Sequence, residues 1–219
     1  MEFAYDLIIF DVDGTLTDSE PGILGAIRYA LGKMELPVPP YETLRRFIGP
    51  PIWYSFTTFC GMNAEQAETA VRLYRETYNV REAFLNKPYP GIPELLTKLK
   101  DAGAQMAVAT SKPENIALPV LDYFHLTPFF RYVSAPDGRE HSSRKKELIQ
   151  SALRACGVPP RRAVMVGDTH YDAAGARDAG TDFIGVLYGF GKKEEMEREG
   201  ARVFAPDVSS LFPLFVREK

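Results

Sequence analysis

Apolar positions along this chain follow two rhythms, and the change between them divides it. Leu7-Ile8-Ile9-Phe10 is a short, wholly apolar run with Gly14 soon after it, the pattern of a strand buried on both faces of a parallel sheet. From there to about residue 86 the spacing is helical. Ile23, Ile27, Ala30, Leu31 and Met34 recur every three or four positions behind the capping candidates Asp18 and Ser19 and behind Pro21, which predicts a helix over 21–34. Leu36-Pro37-Val38-Pro39-Pro40 breaks it. One short helix then carries Leu44, Phe47 and Ile48 to Gly49-Pro50-Pro51, and another carries Ile52, Phe56 and Phe59 to Gly61. Asn63 with Gln66 forms a capping-box pattern ahead of Ala67, Val71, Tyr74 and Tyr78, which share one face of a longer helix. Only helices are expected between residue 18 and about 86.

At Lys87-Pro88-Tyr89-Pro90-Gly91 the prolines favour an extended connection, and beyond it strands and helices alternate. Helices are predicted over 92–99, 116–124, 148–156 and 173–179, with a last one near 208–216. Strands are predicted over 106–110, 132–134, 163–166 and 183–187. Strand followed repeatedly by helix means parallel strands with right-handed crossovers. The expected fold class is α/β: a Rossmann-like parallel sheet core with helices on both faces, built from 1–17 and 88–219, plus an inserted all-helical cap domain over 18–87.

Composition narrows the partners. The 219 residues are 45% hydrophobic, enough for a sizeable core. A formal charge of −3 gives no footprint for nucleic acid. No cationic leader precedes an apolar stretch, and no apolar run is long enough for a bilayer, so neither membrane nor nucleic acid is an expected partner and a cytoplasmic location is. Cys60 and Cys156 each precede a glycine and match no metal or redox spacing, which predicts reduced packing residues.

In such sheets ligands bind beyond the carboxyl ends of the strands, so those ends carry the chemistry. The first strand ends in Asp11 and Asp13, two apart and therefore on the same side. A later strand runs into Thr110-Ser111-Lys112, and another into Gly167-Asp168, followed by Asp172. Crowded, desolvated carboxylates need a compensating cation or proton. An oxygen-only ligand set without His or Cys suits a hard cation, magnesium first.

With DVDGT at Asp11–Thr15, a hydroxyl after a strand at Thr110, a basic residue before a helix near Lys145, and GDTHYD containing Asp168 and Asp172, the chain resembles the haloacid dehalogenase superfamily of phosphohydrolases over nearly its whole length. Phe47-Ile48-Gly49-Pro50-Pro51 and Tyr188-Gly189-Phe190-Gly191 resemble its phosphoglycolate phosphatase or 5'-nucleotidase branch with a helical cap. The resemblance implies a magnesium-dependent phosphomonoester hydrolase acting on a small phosphorylated metabolite. In it Asp11 is the nucleophile and Asp13 the general acid and base. Asp11, Asp168 and the backbone carbonyl of Asp13 hold Mg2+, with Asp172 orienting the metal shell or the lysine, and Thr110 and a lysine hold the phosphoryl group. Counting back from Ala152-Leu153 favours Lys145 over Lys146 for that lysine. Gly14, Thr15 and Ser111 are candidate substrate contacts, joined by Arg45 from the cap, whose guanidinium suits a second anion. Lys112 stands between substrate contact and solvated loop charge.

Blander readings apply elsewhere. His170 is expected to be neither ligand nor contact, and His125 and His141 to be surface or packing residues. The aromatic run from Phe47 to Phe59 is expected to be mainly cap core. A phosphomutase of the β-phosphoglucomutase kind uses the same two aspartates and is the alternative enzyme, while a non-catalytic phosphometabolite-binding protein is the alternative outside catalysis. Phosphoglycolate, nucleotides and sugar phosphates fit the cap composition about equally.

Overall fold

The computed structural model describes residues 2–137 and 144–217, so His141 lies outside the described residues. The strands are β1 (Leu7–Phe10), β2 (Thr17–Asp18), β3 (Lys87–Pro88), β4 (Met106–Ala109), β5 (Tyr132–Ser134), β6 (Ala163–Gly167), β7 (Asp182–Val186) and β8 (Val203–Ala205). Six of them form one parallel sheet in the order β5-β4-β1-β6-β7-β8. β1 is central, with Ile9 level with Ala107 on one side and Met165 on the other. Strand alternation sends Ile8 and Phe10 to one face and Leu7 and Ile9 to the other.

Helices cover both faces. α5 (Ile92–Asp101) and α10 (Leu211–Leu214) pack their Leu96, Leu99 and Phe212 with Ile8 and Phe10, while α7 (Lys145–Cys156) and α8 (His170–Ala179) pack Ile149, Leu153 and Ala176 with Leu7 and Ile9. All four β1 side chains are buried, each contributing roughly 1.5–3 kcal/mol from area removed from water. β8 and α9 (Lys193–Arg198) were not expected. Three residues carry too little alternation to be read as a strand, and α9 buries only Met196 among charged neighbours.

Between β1 and β4 lie α1 (Glu20–Lys33), α2 (Tyr41–Arg45), α3 (Ile52–Cys60) and α4 (Ala64–Tyr78). The capping box is present: Asn63 Oδ1 accepts from Gln66 N at 2.9 Å, and Gln66 Oε1 accepts from Asn63 N at 3.1 Å. The stretch is not helical throughout, which corrects the reading of 18–86. Thr17 and Asp18 pair antiparallel with Pro88 and Lys87, so the chain leaves and re-enters the sheet domain through a two-stranded ribbon too short to show a period. These helices share a hydrophobic cluster that includes Phe47, Phe56, Tyr74 and Tyr78, and it takes in Ile116 and Val120 of α6 (Glu114–Tyr123). The aromatic run therefore divides: Phe47 and Phe56 are buried, whereas Trp53 and Tyr54 line clefts. No helix among the described residues is long and apolar enough to cross a membrane. Cys60 and Cys156 are free thiols.

Candidate active site

The turn after β1 is secured by its own backbone, since Gly14 N donates to Thr17 O at 2.8 Å and Leu16 and Thr17 both donate to Val12 O at 2.9 Å. Thr15 is buried in this turn, and its carbonyl accepts from Tyr188 Oη at 3.0 Å. Gly14 is required there. Its φ is +83°, and a Cβ would stand 2.2 Å from Asp168 Oδ2. Gly189 closes the opposite side, where a Cβ would lie 2.4 Å from both Asp168 Cβ and Gly14 O.

Asp11, at the end of β1, is buried against Lys145, the first residue of α7. Lys145 Nζ lies 2.9 Å from Asp11 Oδ1 and 2.8 Å from Asp172 Oδ1, and donates to Ala109 O at 3.2 Å. Lys146 is exposed, so α7 brings Lys145 to the aspartates. Asp172 also accepts from Thr169 N at 3.0 Å and Thr169 Oγ1 at 2.7 Å through its other oxygen, which caps α8. Asp168, at the end of β6, is fully buried, and its Oδ2 accepts from Phe190 N at 2.7 Å. Its Oδ1 meets no hydrogen-bond donor among the described residues.

Charge does not balance in this cluster. Asp11, Asp168 and Asp172 each offer a ligand atom within 4.8 Å of the others, and Lys145 is the cation that touches two of them. Burial pushes the Asp11 carboxyl up to about 6, the Lys145 ammonium opposes this, and the Asp172 charge adds to it. Asp168 is pushed well above the carboxylate range, first by burial and then by Asp172 and Asp11. Burial pulls Lys145 down, but Asp11 and Asp172 more than offset it and hold the ammonium above the ordinary lysine range. A surplus of buried carboxylate with one oxygen unpaired is the donor set for a hard cation.

Asp13 faces a different neighbour. Lys112 Nζ reaches its two oxygens at 2.9 and 3.1 Å and also donates to Tyr78 Oη on α4. Lys112 is buried, so it is not a solvated loop charge. Thr110, buried at the end of β4, accepts from Lys112 N at 3.2 Å. Asp13, Lys112, Ser111, Tyr78 and Arg75 line a cavity of about 100 Å³ between sheet and helices. A second cleft, of about 530 Å³, opens over Lys145 between Trp53 and Tyr171.

Arg45 is not brought to the Asp13 cavity. Its Nε lies 3.3 Å from Glu20 Oε2 and its guanidinium 5.8 Å over the Phe190 ring, lining a separate cleft of about 620 Å³ with Arg46, Thr169 and His170. His170 Nδ1 stands 3.4 Å from Glu195 and is not part of the Asp11, Asp168 and Asp172 cluster. Tyr78 and the Phe190 N–H are site groups that sequence reasoning missed. Tyr78 carries the same apolar period as its core neighbours, and a backbone donor leaves no mark on composition.

Asp11 and Asp168 at the ends of β1 and β6, with Asp172 of α8 and Lys145 of α7 brought against them, make a strand-end cluster of the kind in which α/β enzymes handle phosphoryl groups. Residues 8–186 match the model of the haloacid dehalogenase-like hydrolase family. The chain belongs to that family and is a phosphatase within it. It is 36% identical over 209 residues to a 5'-nucleotidase of Pseudomonas aeruginosa, covering 94% of each chain. It is also 37% identical over 193 residues to a phosphoglycolate phosphatase of Caulobacter vibrioides, covering 86% of this chain and 81% of that one. The crystal structure of a predicted phosphatase from Clostridium acetobutylicum superposes with a TM-score of 0.90 at 36% identity, covering 94% of this chain and 96% of that one.

Proposed function

We propose that this phosphatase is a magnesium-dependent phosphomonoesterase that cleaves small phosphorylated metabolites through an aspartyl-phosphate on Asp11. The observation that carries the reading is the convergence of Asp11, Lys145 and the unpaired Oδ1 of Asp168 at one sheet edge. Asp11 attacks phosphorus as the ester P–O bond breaks, and Asp13 gives its proton to the leaving alkoxide. A water then attacks the aspartyl-phosphate, Asp13 takes a proton from it, and phosphate leaves as the Asp11–P bond breaks. Lys145 holds Asp11 in line and meets phosphoryl charge, while Thr110 donates its hydroxyl to a phosphoryl oxygen.

Asp11 and Asp168, with the Asp13 carbonyl, are the residues that would hold Mg2+. When bound, the cation offsets carboxylate crowding and the charge of the phosphoryl group. Both oxygens of Asp172 are engaged by Lys145 and Thr169, so its part is to orient the lysine and add charge. The helices between β2 and β3 serve as a cap that excludes water.

The names of the two relatives given above support two substrate classes, phosphoglycolate and nucleoside 5'-monophosphates. Phosphate release from a panel containing both, with magnesium and with an EDTA control, tests the proposal. Activity is expected with magnesium and not with EDTA, and Asp11→Asn is expected to lower it by at least about 1,000-fold. Retained release by that variant would falsify the nucleophile assignment. Phosphate that stays on an isomerised sugar would point to the mutase instead.

A further inference from the structure

Lys112 is a buried cation placed where the sheet domain meets the helices. Its backbone is tied to Thr110, and Pro113 behind it leads into α6. A buried ammonium must be met inside the protein, and here it is met from two layers: the Asp13 carboxylate after β1 and the Tyr78 hydroxyl in the last turn of α4. Tyr78 is itself held by stacking on Tyr74, with ring centroids 4.8 Å apart and planes 23° apart. Burial pushes the Tyr78 phenol well above its ordinary range, so its oxygen is neutral and accepts from Lys112. Asp13, Lys112 and Tyr78 line the same cavity of about 100 Å³, to which Asp11, Asp168 and Lys145 do not contribute. With Asp13 as the group that protonates the leaving alkoxide, this cavity beside it is where the leaving group would lie.

We propose that Lys112 and Tyr78 are positioning residues for Asp13. Tyr78 anchors Lys112 from α4, and Lys112 clamps both Asp13 oxygens at the mouth of the leaving-group cavity, so the acid–base step is fully assembled only with α4 seated on the sheet domain. The proposal rests on the reading of Asp13 as the group that protonates the leaving alkoxide. As that proton moves from Asp13 to the departing oxygen, the ester P–O bond breaks and a carboxylate is left behind. An ammonium already in place stabilises this charge without reorganisation. The same contact keeps Asp13 aimed when it accepts a proton from the attacking water. Lys112 keeps its own protons throughout.

Leaving-group chemistry separates this role from simple fold stabilisation. p-Nitrophenyl phosphate expels a stable phenolate and depends little on an acid, whereas phosphoglycolate and uridine 5'-monophosphate expel primary alkoxides that depend on one strongly. With magnesium present, kcat and KM are measured on all three for the wild type, Lys112→Met and Tyr78→Phe. For whichever alkyl ester the wild type cleaves, Lys112→Met is expected to lower kcat about 100-fold more than for p-nitrophenyl phosphate, and Tyr78→Phe about 10-fold more. Equal losses on both leaving-group classes, or a raised KM with kcat intact, would overturn the positioning role. If Lys112→Met does not fold, as judged by its thermal melt, Tyr78→Phe carries the same comparison, because it removes one hydroxyl and keeps the stacked ring. A wild type inactive on all three esters overturns the phosphomonoesterase reading itself, and this proposal with it.

Discussion

At the scale of single residues, the site is a contest between desolvation and charge pairing. Asp168 shows it most plainly, with one oxygen held by the Phe190 N–H and the other buried without a hydrogen-bond donor among the described residues. Gly14 keeps that pocket open through a positive φ and the absence of a Cβ. Gly14→Ala is therefore expected to cost roughly 1–3 kcal/mol from backbone strain and to weaken metal binding as the methyl pushes Asp168 aside. A urea titration with and without magnesium checks both, and unchanged midpoints would remove Gly14 from the site. Asp11, Asp13 and Asp168 were legible in the sequence because they stand at the ends of apolar runs, a conjunction that packing alone does not explain, and Asp172 because it follows Asp168 by four residues. The surroundings of Arg45 were not legible for the opposite reason: an arginine on a short helix has many surfaces within reach, and only the fold shows that it lies beside Glu20 and Phe190.

At the scale of elements, the packing of α7 on α8 decides where the lysine goes. The two helices cross at Gly175, where a Cβ would approach Lys145 Cβ and Cγ to 2.7 Å. Those are the first atoms of a buried side chain, so the helices must separate to admit a methyl. Gly175→Ala is expected to lower kcat about tenfold while the protein stays folded, read from phosphate release beside a thermal melt. Wild-type turnover in that variant would show that the crossing has slack. The α4 capping box makes a contrasting case. Asn63→Ala is expected to cost about 1 kcal/mol of stability in urea and to leave turnover per folded molecule as it was, since Asn63 is exposed and remote from the aspartates. Long elements with a clear period were readable from the chain. The β2–β3 ribbon, β8 and α9 were not, because two or three residues do not make a period.

At the scale of the whole molecule, the buried carboxylates link stability to pH and to metal. Burial pushes the Asp11 carboxyl up to about 6 from an ordinary value of 3.8, so between those values the folded state binds more protons than the unfolded one. Its contribution to stability is then largest at low pH and falls as pH rises through about 6. Magnesium held as proposed at Asp11 would compete with that proton. The rise in melting temperature produced by magnesium over EDTA is thus expected to grow from pH 4 to above 6 and then level off. A shift of constant size across that range would show that Asp11 is not part of the cation site.

The sequence by itself determined the parallel core and the acids at its edge, because periodicity and the strand-end rule are local properties that survive without coordinates. Only the tertiary structure decided which lysine each aspartate meets, that Tyr78 reaches Lys112 across the interface, and which cleft Arg45 lines. Those outcomes depend on how helices far apart in the chain pack, and packing joins residues that no spacing connects.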